Sequence, residues 1–236
     1  MNILIKLIRY PFRLFVKSKF VKEKSLKNRF SIIYKNNYWD SSETVSGPGS
    51  TMKNTIKLRK KLKEIIKTYK IKSILDAPCG DSNWVKDVIV DSPIRYIGVD
   101  IVSDVIKQNK KKFNSKKIFF KQMDITKEKL PKADLFICRD FVFHLSFKDT
   151  YKFLKNLKKS KSKYLLISNH TKNKNQNNFN KDINSGDFRK INIFQPPFNF
   201  NKKYEMIIND YHDGTKKYLY LFKRKEFIKF SNSMKF

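Results

Sequence analysis

Ser73-Ile74-Leu75-Asp76-Ala77-Pro78-Cys79-Gly80-Asp81-Ser82-Asn83-Trp84 is the stretch on which the fold turns. Two apolar residues run into an acid, a tight Pro-Cys-Gly turn follows, and a helical pattern starts at Trp84. That order spells a strand, a sharp loop and a helix N-terminus. Such a unit brings backbone N–H groups to a ligand at the carboxyl edge of a parallel sheet. A second strand, 94–99, ends in Asp100, placed where an acid can take both ribose hydroxyls of a nucleoside. A third, 118–123, ends in Asp124. One acid after a strand reads as a helix cap. Three in succession put a row of carboxylates along one sheet edge, a ligand arrangement.

Working outward, Trp84, Val85 and Val88 open a first crossover helix, and 102–113 forms a second through Val102, Val105 and Ile106. A buried fourth strand, 133–138, leads into Arg139-Asp140-Phe141-Val142-Phe143-His144-Leu145-Ser146. A helix over 147–157, a strand over 164–168, and a hairpin of 204–209 with 217–222 around an Asp-Gly turn complete the pattern. Strands and helices alternating at this length call for an α/β fold with a parallel sheet and right-handed crossovers.

LDAPCGD, then GVD and MDIT, resembles the class I (Rossmann-like) S-adenosylmethionine-dependent methyltransferases over roughly residues 51–222. The resemblance implies a doubly wound, seven-stranded, mostly parallel sheet of order 3-2-1-4-5-7-6 with the last strand antiparallel. It implies S-adenosyl-L-methionine as cofactor, held by Asp76, Ala77, Cys79, Gly80, Asp81 and Trp84 at the first loop, Asp100 and Ile101 at the ribose, Asp124 and Ile125 at the adenine, and Arg139. The usual D-x-G-x-G-x-G loop is reduced to Gly80, with Pro78 and Ser82 at the other glycine places. Pro78 removes an N–H donor, so the loop must meet the cofactor differently. More narrowly, SGPGS, LDAPCGD, GVDI, CRD, HLS and PPFNF together are similar to bacterial methyltransferases encoded among surface-polysaccharide genes.

The 236 residues suit one α/β domain, 51–225, with an N-terminal basic segment and lid loop at 1–50 and a tail at 226–236. The formal charge is +32, yet only 8 of the 53 basic residues are Arg. Lys, Asn, Ile, Phe and Tyr share A/T-rich codons, so genome composition accounts for much of the charge. Dedicated nucleic-acid binders lean on Arg forks, which makes a nucleic-acid partner a secondary expectation. The charge still favours adhesion to anionic surfaces at low salt. Cys79 and Cys138 form no CxxC pair and there is no His cluster, which argues against zinc and for a reducing, cytoplasmic setting.

Residues 1–24 interleave apolar side chains with Lys6, Arg9, Arg13 and Lys17, a cationic stripe on one helical face. Charge interrupts the run too often for a bilayer span, and no small-residue cleavage site follows. Two readings stand: a basic amphipathic helix peripheral on an anionic membrane, or a terminal helix packed on the domain and kinked at Pro11. Tyr34, Tyr38 and Trp39 precede Gly47-Pro48-Gly49, after which Ser50 or Thr51 can cap a helix over 52–69, buried through Ile56, Leu58, Leu62, Ile65 and Ile66. In the narrower resemblance this loop belongs to a lid, and Arg59 either meets the cofactor carboxylate or is a surface residue. The polar stretch 169–190 reads as a flexible excursion or a substrate lid.

Methyl transfer needs orientation and, for a hydroxyl acceptor, a base. Asp140 and His144 stand beyond the fourth strand, four apart, and share a face on a helical turn. His144 is the candidate base and Asp140 its orienter or the substrate's; their plainer roles are packing and capping. His170 and His212 are weaker candidates. No Asp/Asn/Ser-Pro-Pro-aromatic motif follows the fourth strand, where Cys138-Arg139-Asp140-Phe141 stands, and the lone Pro-Cys lies in the cofactor loop. Amino-group and C5-pyrimidine DNA methyltransferases are thereby disfavoured. The expectation is methylation of a hydroxyl, less readily an amine, of a small polar acceptor such as a sugar or surface-glycan precursor. An RNA or DNA methyltransferase and a non-catalytic cofactor-binding module are the alternatives.

Overall fold

The computed structural model describes residues 3–90, 92–113, 115–171, 179–210 and 216–229, with the side chains of 3–8 left aside. Seven strands form one sheet: β1 (Ser73–Asp76), β2 (Arg95–Asp100), β3 (Ile118–Gln122), β4 (Leu135–Cys138), β5 (Tyr164–His170), β6 (Met206–Asn209) and β7 (Lys217–Lys223). Their order is β3-β2-β1-β4-β5-β7-β6. β7 runs antiparallel to both β5 and β6, and the pairs from β3 to β5 are parallel. The expected order and the antiparallel last strand are both present.

Alternation along the strands feeds two cores. Leu75, Phe136, Cys138, Leu165 and Ile167 face one side, and Ile74, Leu135, Ile137 and Leu166 the other. Both faces must therefore be covered. On the first side lie α1 (Ile3–Lys22), α2 (Leu26–Lys35) and α6 (Phe147–Lys159); on the second, α3 (Ile56–Thr68) and the short α4 (Lys86–Ile89). α5 (Ser103–Lys112) contributes Val105 to the first core and Ile106 to the second. α6 shows why such segments are helical. Ser146 Oγ accepts from the Asp149 N–H at 3.2 Å, and Thr150, Phe153, Leu154 and Leu157 line up as a buried stripe.

Several boundaries differ from expectation. α3 starts at Ile56, and neither Ser50 nor Thr51 is its cap. The preceding residues are held as a turn by Thr55 N–H donating to Thr51 O, and the Ser50 hydroxyl is taken by Arg139. Ile56, placed by periodicity on the buried side, is consequently exposed. The first crossover helix is a single turn; Trp84 and Val85 are buried but precede it. Phe227, assigned to the tail, is fully buried in the final short helix, α7 (Arg224–Phe227).

The N-terminal stripe is turned inward. Arg9 pairs with Asp40, Arg13 stands 5.1 Å over the Tyr38 ring, and Lys17 reaches Asp187 at 2.7 Å. Val16 and Phe20 are fully buried between these contacts, and α1 runs unbroken through Pro11. The charged side of this helix thus finds partners in the domain, while Lys17 stays about two fifths exposed and Arg13 exposed. Lys6 lies among the residues whose side chains are left aside. Part of 169–190 and most of the β6–β7 turn, including His212, lie outside the described residues. The described remainder of 169–190 is packed: Gly186 N–H donates to His144 O at 2.7 Å, and a Cβ at Gly186 would sit 2.8 Å from Ile33 and 2.9 Å from Phe20.

Candidate active site

The carboxyl tips of β1, β2 and β4 open onto a cleft of about 790 Å³, mouth included, lined by Asp76, Asp100, Gly80, Arg139, Asp140 and His144 among others. A smaller hollow lined by Asp124 and Ile125 adjoins it, sharing Pro78, Asp100, Ile101 and Phe141. Two elements roof the cleft: α2 through Phe30 and Tyr34, and the following loop through Trp39, Val45, Ser46 and Ser50. A concave site with mostly apolar walls and a few convergent polar groups is the usual form of a small-molecule site.

Sequence dictates the loop geometry. Gly80 has φ +52°, and a Cβ there would lie 2.1 Å from Ser46 Oγ, so both its conformation and its neighbour require glycine. The Gly80 N–H donates to Asp100 Oδ2 at 3.1 Å and the Val102 N–H to Asp100 Oδ1 at 3.0 Å. Each carboxylate oxygen has two acceptor sites, so both can accept again from a ligand. Burial raises the Asp100 pKa to about 6 against those backbone donors. Asp76 is buried more fully, raised to about 7 by desolvation despite a 2.7 Å bond from the Tyr96 hydroxyl and the nearby Arg139. Buried acids held partly protonated at neutral pH are typical of sites built for a ligand.

Asp81 is turned away from the main cleft. It accepts from the hydroxyls of Thr44 (2.8 Å) and Ser46 (3.0 Å), which pins the roofing loop down. Cys79 and Trp84 line the cleft, with the Cys79 thiol pushed up by burial and hence un-ionised. Ala77 is buried behind them. Asp124 uses Oδ1 for its own turn, accepting from Thr126 N–H at 3.0 Å and the Thr126 hydroxyl at 2.6 Å. Arg59 does not line the cleft. Because α3 begins late, Arg59 lies in its first turn and pairs with Asp87 of α4, also donating to Met52 O at 2.8 Å.

At the β4 tip two cations and two acids interlock. Arg139 donates to Asp210 from Nε and from Nη2, each at 3.0 Å, and to Ser50 Oγ and Gly49 O. Lys217 donates to both Asp140 oxygens at 2.6 and 2.7 Å and lies 3.0 Å from Asp210 Oδ2. Asp140, at φ +52°, also accepts from Ser168. Burial opposes the Arg139 charge, but Asp140 and Asp210 outweigh it and its pKa stays above the ordinary value. The guanidinium lies 5.5 Å over the Trp84 ring.

His144 closes a 3-10 turn, Val142–His144, in place of the expected helical face. Its orienting partner is a backbone group: Nδ1 lies 2.8 Å from the Asp187 carbonyl oxygen. A carbonyl only accepts, so Nδ1 carries the hydrogen and Nε2 is left as a bare acceptor. Desolvation lowers the His144 pKa to about 4, which keeps the ring neutral. Trp39 lies against it, ring centroids 5.1 Å apart. His170, also lowered to about 4 by burial, stacks edge-on with Phe143.

Residues 74–161 match a family model described as a methyltransferase domain. No curated protein matches the chain. Among solved structures, "PigF with SAH" is 12% identical at a TM-score of 0.58, covering 85% of this chain and 63% of that one. The methyltransferase domain of a bacterial Hen1, CtHen1-CN, is 15% identical at 0.52, covering 72% and 99%. At such identities the likeness speaks for the fold, and the family model speaks for the domain. With the strand order, the acid-tipped strands and the glycine-tight loop around one cleft, the chain has the fold of the class I S-adenosylmethionine-dependent methyltransferases and, over residues 74–161, the match to a methyltransferase domain.

Proposed function

We propose that this chain methylates a hydroxyl of a small polar acceptor, a sugar or surface-glycan precursor, with His144 as the base. The observation behind this reading is the His144 ring: it belongs to a residue lining the cleft that also holds Asp100, is fixed through Nδ1 by the Asp187 carbonyl, and so keeps Nε2 as its accepting nitrogen. S-adenosylmethionine, when bound, supplies a methyl carbon already activated by its sulfonium. Asp100 and Ile101 would hold its ribose, Asp124 and Ile125 its adenine. Asp76, Gly80, Cys79 and Trp84 would hold the methionine part, with Arg139 behind them.

A base of pKa about 4 is weak for a free alcohol. An oxygen gaining a carbon, however, becomes far more acidic than its alcohol, so Nε2 still receives the proton as the bond forms. Asp140 is spoken for by Lys217 and Ser168; its part is to fix the β4 tip beside the acceptor. Trp39 offers an apolar ring face beside His144, suited to the C–H face of a sugar.

The test is transfer of labelled methyl from S-adenosylmethionine to a panel of sugars, sugar nucleotides and total RNA, by wild type and His144→Gln. The expected result is methylation of a sugar-type acceptor, with kcat lowered roughly 10²–10⁴-fold in the variant and cofactor affinity retained. Equal turnover by the variant removes His144 as base. Label in RNA with steep salt dependence favours the nucleic-acid reading.

A further inference from the structure

Large apolar side chains exposed elsewhere, such as Ile56, Val90, Phe119 and Tyr151, belong to separate elements of the fold, as single exposed apolar residues ordinarily do. α1 differs. Tyr10, Phe12, Leu14 and Phe15, 41–62% exposed, gather within two turns of one helix. At 100° per residue Leu14 and Phe15 lie across the helix from Val16 and Phe20, which the domain claims, and Tyr10 and Phe12 flank them at the two edges. The helix has six basic residues and no acid. Its outer side also carries Lys19, whose ammonium lies 4.1 Å over the Phe15 ring, and its last turn ends in Lys22.

We infer that α1 docks the protein on an anionic lipid surface through this bare apolar side, with the inward stripe serving as its anchor to the domain. Charge selects the occupant. A second copy would bring another chain of formal charge +32 against the same patch, whereas an anionic headgroup plane attracts it. Tyr and Phe suit the depth between headgroup and acyl chain, and long lysine stems reach back to phosphates. The attachment is peripheral: among the described residues no helix is long and apolar enough to cross a membrane. This inference is independent of the acceptor's identity.

The experiment is co-sedimentation of the full chain with phosphatidylcholine vesicles, with and without about three parts in ten phosphatidylglycerol, for wild type and the double variant Leu14→Ser/Phe15→Ser. Both side chains are about half exposed, so the fold should survive, as a circular dichroism melt would verify. Wild type should partition onto the anionic vesicles at least tenfold better than onto neutral ones, and the variant should lose about tenfold of that binding. Equal binding by both proteins would reduce the effect to adhesion through lysines and overturn the proposal. So would absence of vesicle binding together with a dimer, or an RNA complex, that the double variant abolishes.

Discussion

Asp76 sits at the β1 tip, 1% exposed, with its pKa raised from 3.8 to about 7. A carboxyl whose folded pKa exceeds its unfolded one destabilises the fold when ionised. The penalty is nil well below the unfolded value of 3.8, grows as pH rises through it, and levels off above the folded value near 7. A gap of about three pH units at ~1.4 kcal/mol each gives about 4 kcal/mol at pH 8 and less than half of that at pH 5. Asp76→Asn removes the charge and retains an oxygen to accept from the Tyr96 hydroxyl. The variant should therefore be more stable than wild type by those amounts, with a melting temperature about 10 °C higher at pH 8 and almost no difference at about pH 3. Urea denaturation at the three pH values measures this, with cofactor affinity by calorimetry alongside. A variant no more stable at pH 8, or a gain that does not vary with pH, refutes the argument. Stability gained together with weakened cofactor binding would mark Asp76 as an acid retained for the ligand.

Asp100→Ala removes the acid at the β2 tip and should weaken S-adenosylmethionine binding tenfold or more by calorimetry. In wild type the same affinity should fall as pH drops through about 6, where Asp100 takes a proton. Lys217→Met leaves Asp140 and Asp210 with one cation fewer in a buried place and should lower stability by about 3–5 kcal/mol; adding Asp210→Asn should recover part, both read by urea denaturation. With His144 lowered to about 4, kcat/KM at saturating cofactor should stay level down to about pH 5 and fall below it. A midpoint near 6.5 would mean the ring is solvated and freely titrating.

The sheet was legible because each strand tip carries its own marker. An apolar run ending in Asp76, Asp100 or Asp124 sets strand, edge and ligand side at once. Strand order came only through the resemblance, since period-two patterns do not say which strands are neighbours. His144 and Arg139 were legible as chemistry but not as geometry. The partner of His144 is the carbonyl of Asp187, a backbone atom for which no side-chain pattern exists. Lys217 was missed for a compositional reason: in a chain with 53 basic residues, one more at the start of a strand attracts no notice, although it is 1% exposed. For Arg59, read in sequence as either a cofactor ligand or a surface residue, what differs is the start of its helix. Periodicity continued α3 back to 52, while the Thr51–Thr55 turn had already claimed that length.

The N-terminal segment brings these observations together. α1 holds Asp40, next to Trp39, and Asp187, whose carbonyl fixes the tautomer of His144. Each ion pair is partly exposed and adds little to global stability. Their value lies in position, because both end beside the one ring offered as base. A charge pair too weak to stabilise a domain by much can still decide how a Trp face and an imidazole meet. The cationic stripe that reads in sequence as lipid-facing is thereby accounted for from within the fold, and the apolar side it leaves outward is the part that still lacks a partner.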